Sequence, residues 1–129
     1  MTHPTEHAPP KQAGLAHLVS AAGYSIGGLT RLAKEAAFRQ EVLAGAGLLA
    51  AYGMMDVAAA IRLSAAVLFL LLIAMEAVNT AIEEIIDRIS PEVSATGKHA
   101  KDLGSLAVFC LILANSLLLL YALSIELTT

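Results

Sequence analysis

The sequence predicts an all-α membrane protein with three transmembrane helices, preceded by an amphipathic helix on the membrane surface. Three observations predict it. Residues 103–125 form a charge-free apolar run, and a helix needs about 20 residues to cross a bilayer core. Charged residues make up only 15 % of the chain, against about a quarter in an ordinary soluble domain, and they cluster between apolar runs. Seven of the eight Lys and Arg residues fall where a three-span chain keeps them on one side.

The elements follow in order. Residues 1–14 carry Pro4, Pro9, Pro10, His3 and His7 and read as a disordered tail without the pattern of a signal peptide. A single membrane domain is expected over 15–129. In its first part, over about 15–33, Leu15, Leu18, Val19, Ala22, Ile26, Leu29 and Leu32 recur near helical spacing. His17, Ser20, Ser25 and Arg31 stand between them, which is too mixed for a span and suits a helix lying in the interface. Gly27-Gly28 is expected to weaken or end it.

The apolar run 42–55 is short for a span. It becomes long enough if the helix begins near Glu35 and carries Arg39, Gln40 and Glu41 in its inner turns, giving a first span over about 35–53. Gly53 and Asp56 mark the turn that follows. The second span, about 56–89, is interrupted by Arg62 near one end and Glu76 further along. It stops at Ser90-Pro91, since proline disfavours a helical residue before it and cannot continue the helix. The third span covers about 98–126.

Lys11, Arg31, Lys34 and Arg39 precede the first span, and Arg88, Lys98 and Lys101 flank the loop between spans two and three; Arg62 alone falls on the other side. The excess of positive charge makes the first side cytoplasmic, with the N-terminus inside.

Several function classes are excluded. The net charge of −3 and the absence of a basic stripe give no nucleic-acid surface. The lone Cys110 cannot build a disulfide framework. There is no GxxxxGK[ST] phosphate loop and no Cys/His set with zinc spacing. His3, His7, His17 and His99 are scattered.

The second span carries the chemistry. At 100° per residue from Glu76, Asn79 falls at about −60°, Glu83 at about −20° and Asp87 at about +20°. These polar residues line one face that rises from membrane depth to the surface. Glu84, about 80° away, is expected to face headgroups or water. An ionisable side chain within a span costs about 2.5–3.5 kcal/mol on insertion scales, so Glu76 needs neutralisation, a partner or a metal. The bland alternative for Glu76 is a hydrogen bond between helices. Two further clusters, Glu35-Ala-Ala-Phe-Arg39-Gln40-Glu41 and Lys98-His99-Ala-Lys101-Asp102, lie on the same side. Singly each reads as a solvated helix end. Together, carboxylates from two helices and a lysine suit a magnesium–nucleotide site.

At these residues the chain resembles the prokaryotic diacylglycerol kinase family. The matching stretches are Ala21-Ala22-Gly23-Tyr24-Ser25, Glu35-Ala-Ala37-Phe38-Arg39-Gln40-Glu41, Glu76-x-x-Asn79-x-Ala-Ile-Glu83-x-x-x-Asp87-Arg-Ile and Ala100-Lys101-Asp102-x-Gly104-Ser105, in the family's order. The resemblance implies a homotrimer with active sites shared between subunits in the cytoplasmic (inner) membrane. It implies transfer of the ATP γ-phosphoryl group to the hydroxyl of diacylglycerol, giving phosphatidic acid. By that analogy Glu76 is the general base, Glu35 and Glu83 hold Mg2+, and Tyr24, Glu35, Asn79, Glu83, Glu92, Lys101 and Asp102 hold ATP. Ala21, Ala22, Gly23, Ser25, Ala37, Phe38, Arg39, Gln40, Glu41, Glu76 and Ser105 fall at the family's lipid-contacting positions. The chain has His17 near the place where the family often has an arginine.

Other readings keep part of this picture. Undecaprenol as acceptor would preserve the fold and reaction. A non-enzymatic membrane subunit would tolerate loss of Glu76. A small proton-coupled transporter would need a path to both sides, which the wholly apolar stretch 67–74 does not offer.

Overall fold

The structure, a computed structural model, describes residues 14–128. The tail expected over 1–14 lies outside the described residues up to position 13. All the regular structure described is helical: α1 spans Leu15–Leu32, α2 Ala36–Met54, α3 Ala59–Ile89 and α4 Ala95–Glu126. The order of four helices, the last two long and apolar, agrees with the all-α membrane class expected from the sequence.

Helix α1 matches the surface helix expected over about 15–33 and runs through Gly27-Gly28 to Leu32. A glycine inside a helix costs only about 1 kcal/mol relative to alanine, which weakens the element without ending it. What ends α1 is the turn at Ala33–Glu35. There the Arg39 guanidinium donates to the carbonyls of Ala33 (3.2 Å) and Lys34 (2.7 Å), satisfying backbone acceptors that the helix leaves open. Glu35 occupies the N-cap position of α2 in an extended conformation, yet its carboxylate makes no capping bond.

The far end of the bundle is tied in a comparable way. Arg62 reaches back to the carbonyls of Tyr52 (3.2 Å) and Met55 (2.8 Å) at the end of α2. The Asp56 amide donates to Glu126 Oε2 at 2.9 Å, joining the α2–α3 turn to the end of α4. Beneath these bonds Tyr52, Val57, Ala65 and Ala122 form a buried apolar cluster. Between α3 and α4, Ser94 caps the last helix by accepting from the Gly97 amide at 3.0 Å.

Helices α3 and α4 share the most extensive contact; α2 packs on α3, and α1 touches α3 lightly. The buried positions repeat at sevens. The series are Phe38, Gly45 and Tyr52 on α2, Ala65, Leu72 and Asn79 on α3, and Gly97, Gly104 on α4, resumed by Val108, Asn115 and Ala122; Glu76 and Thr80 on α3 are buried beside the series. Seven residues are nearly two helical turns, so each helix presents one narrow seam to its neighbours. Small residues in the seam let the helices close up. A Cβ on Gly45 would stand 2.0 Å from the Phe69 ring.

Outside the seam the helices are apolar and uncovered. Helices α3 and α4 are long and apolar enough to cross a membrane, and only 17 % of the most apolar stretch of each is buried within the chain. The core helix of a soluble protein would be mostly covered. Here the exposed leucines, such as Leu70, Leu117 and Leu120, need lipid or another chain around them.

Candidate active site

On the side of the bundle away from the Tyr52 cluster, α2, α3 and α4 enclose a cleft of about 300 Å³. Helix α2 and its N-cap bring Glu35, Ala37 and Glu41; α3 brings Glu76, Asn79, Thr80 and Glu83; α4 brings Ser105 and Val108. Each is delivered by spacing. Glu76, Asn79, Thr80 and Glu83 recur at three and four residues on α3, which places them on one helical face.

Glu76 is buried, with 6 % of its surface exposed, and Asn79 and Thr80 are buried beside it. The Asn79 amide donates to Glu83 Oε1 at 3.1 Å, so the two polar side chains are held in line along α3. Asn79 Oδ1 and Glu41 Oε2 are buried acceptors without a hydrogen-bond partner. Buried acceptors are costly to leave unpaired; Glu41 lines the cleft, while Asn79 Oδ1 faces Gly104 of α4.

The rest of the polar stripe parts from this cleft. Asp87 forms an ion pair with Lys101 and lines a second cleft of about 140 Å³, together with Ser90, Glu92, Ser94 and Lys98. Asp102 pairs with Lys98 at 2.5 Å and borders neither cleft.

At the mouth of the first cleft, Arg31 of α1 meets two carboxylates. Its Nη1 donates to Glu35 Oε1 at 2.6 Å, and its Nε pairs with Glu84. Glu84, expected to face headgroups or water, is exposed and in addition joins α3 to α1 through Arg31. The bond to Glu35, with the Glu84 contact behind it, holds the guanidinium more firmly protonated than usual against the opposing effect of desolvation.

Other predicted positions stand apart from the clefts within one chain. Ala22, Gly23, Tyr24 and Ser25 are exposed on α1 and Ala21 is half-buried; Ser25 bonds back to the Ala21 carbonyl at 3.0 Å. Phe38 is packed in the seam of α2, and Arg39 closes the α1–α2 turn. Gln40 borders a separate, largely apolar groove of about 390 Å³ shared with Glu41 and Asn115.

Two polar residues escaped the sequence reading. Thr80 lines the first cleft and was hidden by its mild polarity in a mixed segment. Asn115 is buried in the run that looked featureless, donating to the carbonyls of Leu111 (2.8 Å) and Leu68 (3.4 Å). Its position in the α4 seam, seven residues from both Val108 and Ala122, was the available signal.

Fold and cleft together define a class: a helical membrane protein with carboxylates gathered between its helices at one end. A family model for prokaryotic diacylglycerol kinase matches residues 23–123. The chain is 52 % identical over 111 residues to a diacylglycerol kinase of Sinorhizobium sp, covering 86 % of this chain and 81 % of the relative. It is 40 % identical over 99 residues to one from Pseudomonas aeruginosa (76 % and 80 % covered). A diacylglycerol kinase of Escherichia coli is 38 % identical over 101 residues (78 % and 83 % covered). The chain belongs to the prokaryotic diacylglycerol kinase family. It is an enzyme, an ATP-using lipid kinase of the membrane.

Proposed function

We propose that the chain transfers the γ-phosphoryl group of ATP to the hydroxyl of diacylglycerol, yielding phosphatidic acid. The observation that carries this reading is the convergence of Glu35, Glu41, Glu76, Asn79 and Glu83 on one cleft, in a chain whose relatives are diacylglycerol kinases.

In this reading Glu76 accepts the proton of the lipid hydroxyl as the oxygen attacks phosphorus. Glu76 lies about 16 Å along α3 from Asp87, at 1.5 Å per residue, which suits an acceptor whose chains remain in the bilayer. ATP approaches from the polar end. Lys101 gives up Asp87 for a phosphate oxygen, and Glu92, Asp102, Asn79 and Tyr24 hold the nucleotide. Ala21, Ala22, Gly23, Ser25, Ala37, Phe38, Arg39, Gln40, Glu41 and Ser105 border the lipid.

The donor set fits Mg2+. Glu35 and Glu83 offer carboxylate oxygens on the same cleft, and among the described residues no group of three acidic, histidine or cysteine side chains forms a metal cage. Mg2+ is usually held by one or two carboxylates together with substrate phosphates and water, not by an all-protein cage. When bound there it supplies charge neutralisation for the phosphates.

The same reading gives α2 as a third span. Its 19 residues rise about 28 Å, close to the hydrocarbon thickness. The surface helix over about 15–33 and the spans over about 35–53, 56–89 and 98–126 then form one domain of a homotrimer in the cytoplasmic membrane. The N-terminus and the active site face the cytoplasm. The exposed position of Tyr24 supports sites completed by a neighbouring subunit.

The direct test is labelled ATP offered to the purified protein with diacylglycerol and undecaprenol in detergent. Label is expected in phosphatidic acid; label in undecaprenyl phosphate alone would overturn the choice of acceptor.

A further inference from the structure

Arg31 joins two unlike carboxylates. Glu35 lines the cleft, while Glu84 does not, although it is the sequence neighbour of the cleft residue Glu83. The side chains are all partly open, with exposures of 42 % for Arg31, 39 % for Glu35 and 51 % for Glu84. Exposed ion pairs of this kind add little to stability and exchange partners readily. Arg31 also stands in the last turn of α1, which touches the bundle only lightly. Finally, Glu35 makes no capping bond to its own helix, so the guanidinium is the side-chain partner of its carboxylate.

We infer that Arg31 is a placeholder cation: it holds Glu35 at the cleft mouth until a divalent ion takes that carboxylate, and Glu84 keeps the displaced guanidinium beside the site. The inference rests on the reading of Glu35 as a metal-holding residue. The physics gives opposite signs for the two partners. A guanidinium on Glu35 competes for the same oxygens and repels an incoming cation. Removing it strengthens divalent binding. Removing Glu84 leaves the guanidinium to Glu35 alone and weakens divalent binding. Arg31 is thus a positioning residue that sets how much free divalent ion the site requires.

The test uses Mn2+ as probe, bound to the full-length protein in detergent without nucleotide and followed by electron paramagnetic resonance. Arg31→Ala is expected to tighten Mn2+ severalfold, Glu84→Gln to weaken it severalfold, and the double variant to behave like Arg31→Ala. Unchanged or weakened binding in Arg31→Ala overturns the placeholder. If that variant does not fold, unchanged or tightened binding in Glu84→Gln overturns it equally. Glu35→Gln separates the two levels: if it leaves Mn2+ binding unaltered, the metal role of Glu35 falls and the placeholder with it. If it weakens binding while the other variants show the wrong sign, the placeholder alone falls.

Discussion

Gly104 of α4 lies against Asn79 of α3 so closely that a Cβ at position 104 would stand 2.1 Å from Asn79 Oδ1. The glycine is thereby tied to the site through its neighbour. Gly104→Ala should push the Asn79 amide away from Glu83, lowering phosphoryl transfer at least tenfold. Overpacking of this kind costs about 1–3 kcal/mol. Turnover and thermal unfolding of the variant, measured together, check it; wild-type values for both would show that the helices part freely here.

Glu76→Gln should reduce phosphoryl transfer by 100-fold or more while leaving assembly intact. The amide keeps the shape of the side chain but cannot take the hydroxyl proton, and general base catalysis contributes typically 10²–10⁴-fold. Steady-state rates alongside size-exclusion chromatography separate chemistry from folding. Normal turnover would reduce Glu76 to a hydrogen bond between helices.

Glu83→Ala should raise the Mg2+ concentration needed for half-maximal rate more than it alters the dependence on lipid. It removes one of the cleft's four carboxylates, one of the two proposed to hold Mg2+, and also deprives the Asn79 amide of its acceptor. Titrations of Mg2+ and of diacylglycerol on the same preparation decide the matter. An unchanged Mg2+ curve would make Glu83 a structural partner of Asn79.

Lys98→Cys, in a Cys110→Ala background, should react with an impermeant thiol reagent in inside-out vesicles and not in right-side-out ones. Lys98 is exposed at the start of α4, beside the second cleft. Labelling from the outside would reverse the orientation and remove the kinase site from its ATP supply.

The order and kind of the helices were legible because long apolar runs and Ser90-Pro91 are strong local signals. The carboxylate face of α3 was legible for the same reason: Glu76, Asn79 and Glu83 follow helical spacing, and the cleft gathers all three. What distance in sequence hid was pairing between helices. The angle of Glu84 was read correctly as off the stripe, but nothing in one helix's periodicity reveals that Arg31 comes to meet it. Gly27-Gly28 leaves α1 unbroken because a propensity cost of about 1 kcal/mol per residue weakens a helix without ending it. Asp87 shares the angle of Glu83 and Glu76 but meets Lys101 first, since the charge nearest in space, not the angle, decides its partner.

The seven-residue seam has a consequence for anyone engineering this enzyme. Asn79 occupies the same register on α3 as Leu72 and Ala65, so a position that elsewhere would be filled to hold the helices together carries, in the proposed reading, a side chain that holds the nucleotide. A search for heat-resistant variants would naturally try leucine or alanine there and would be rewarded with robust, inactive protein. The productive ground is the opposite end of the bundle, around Val57, Ala65 and Ala122, where the register serves cohesion alone.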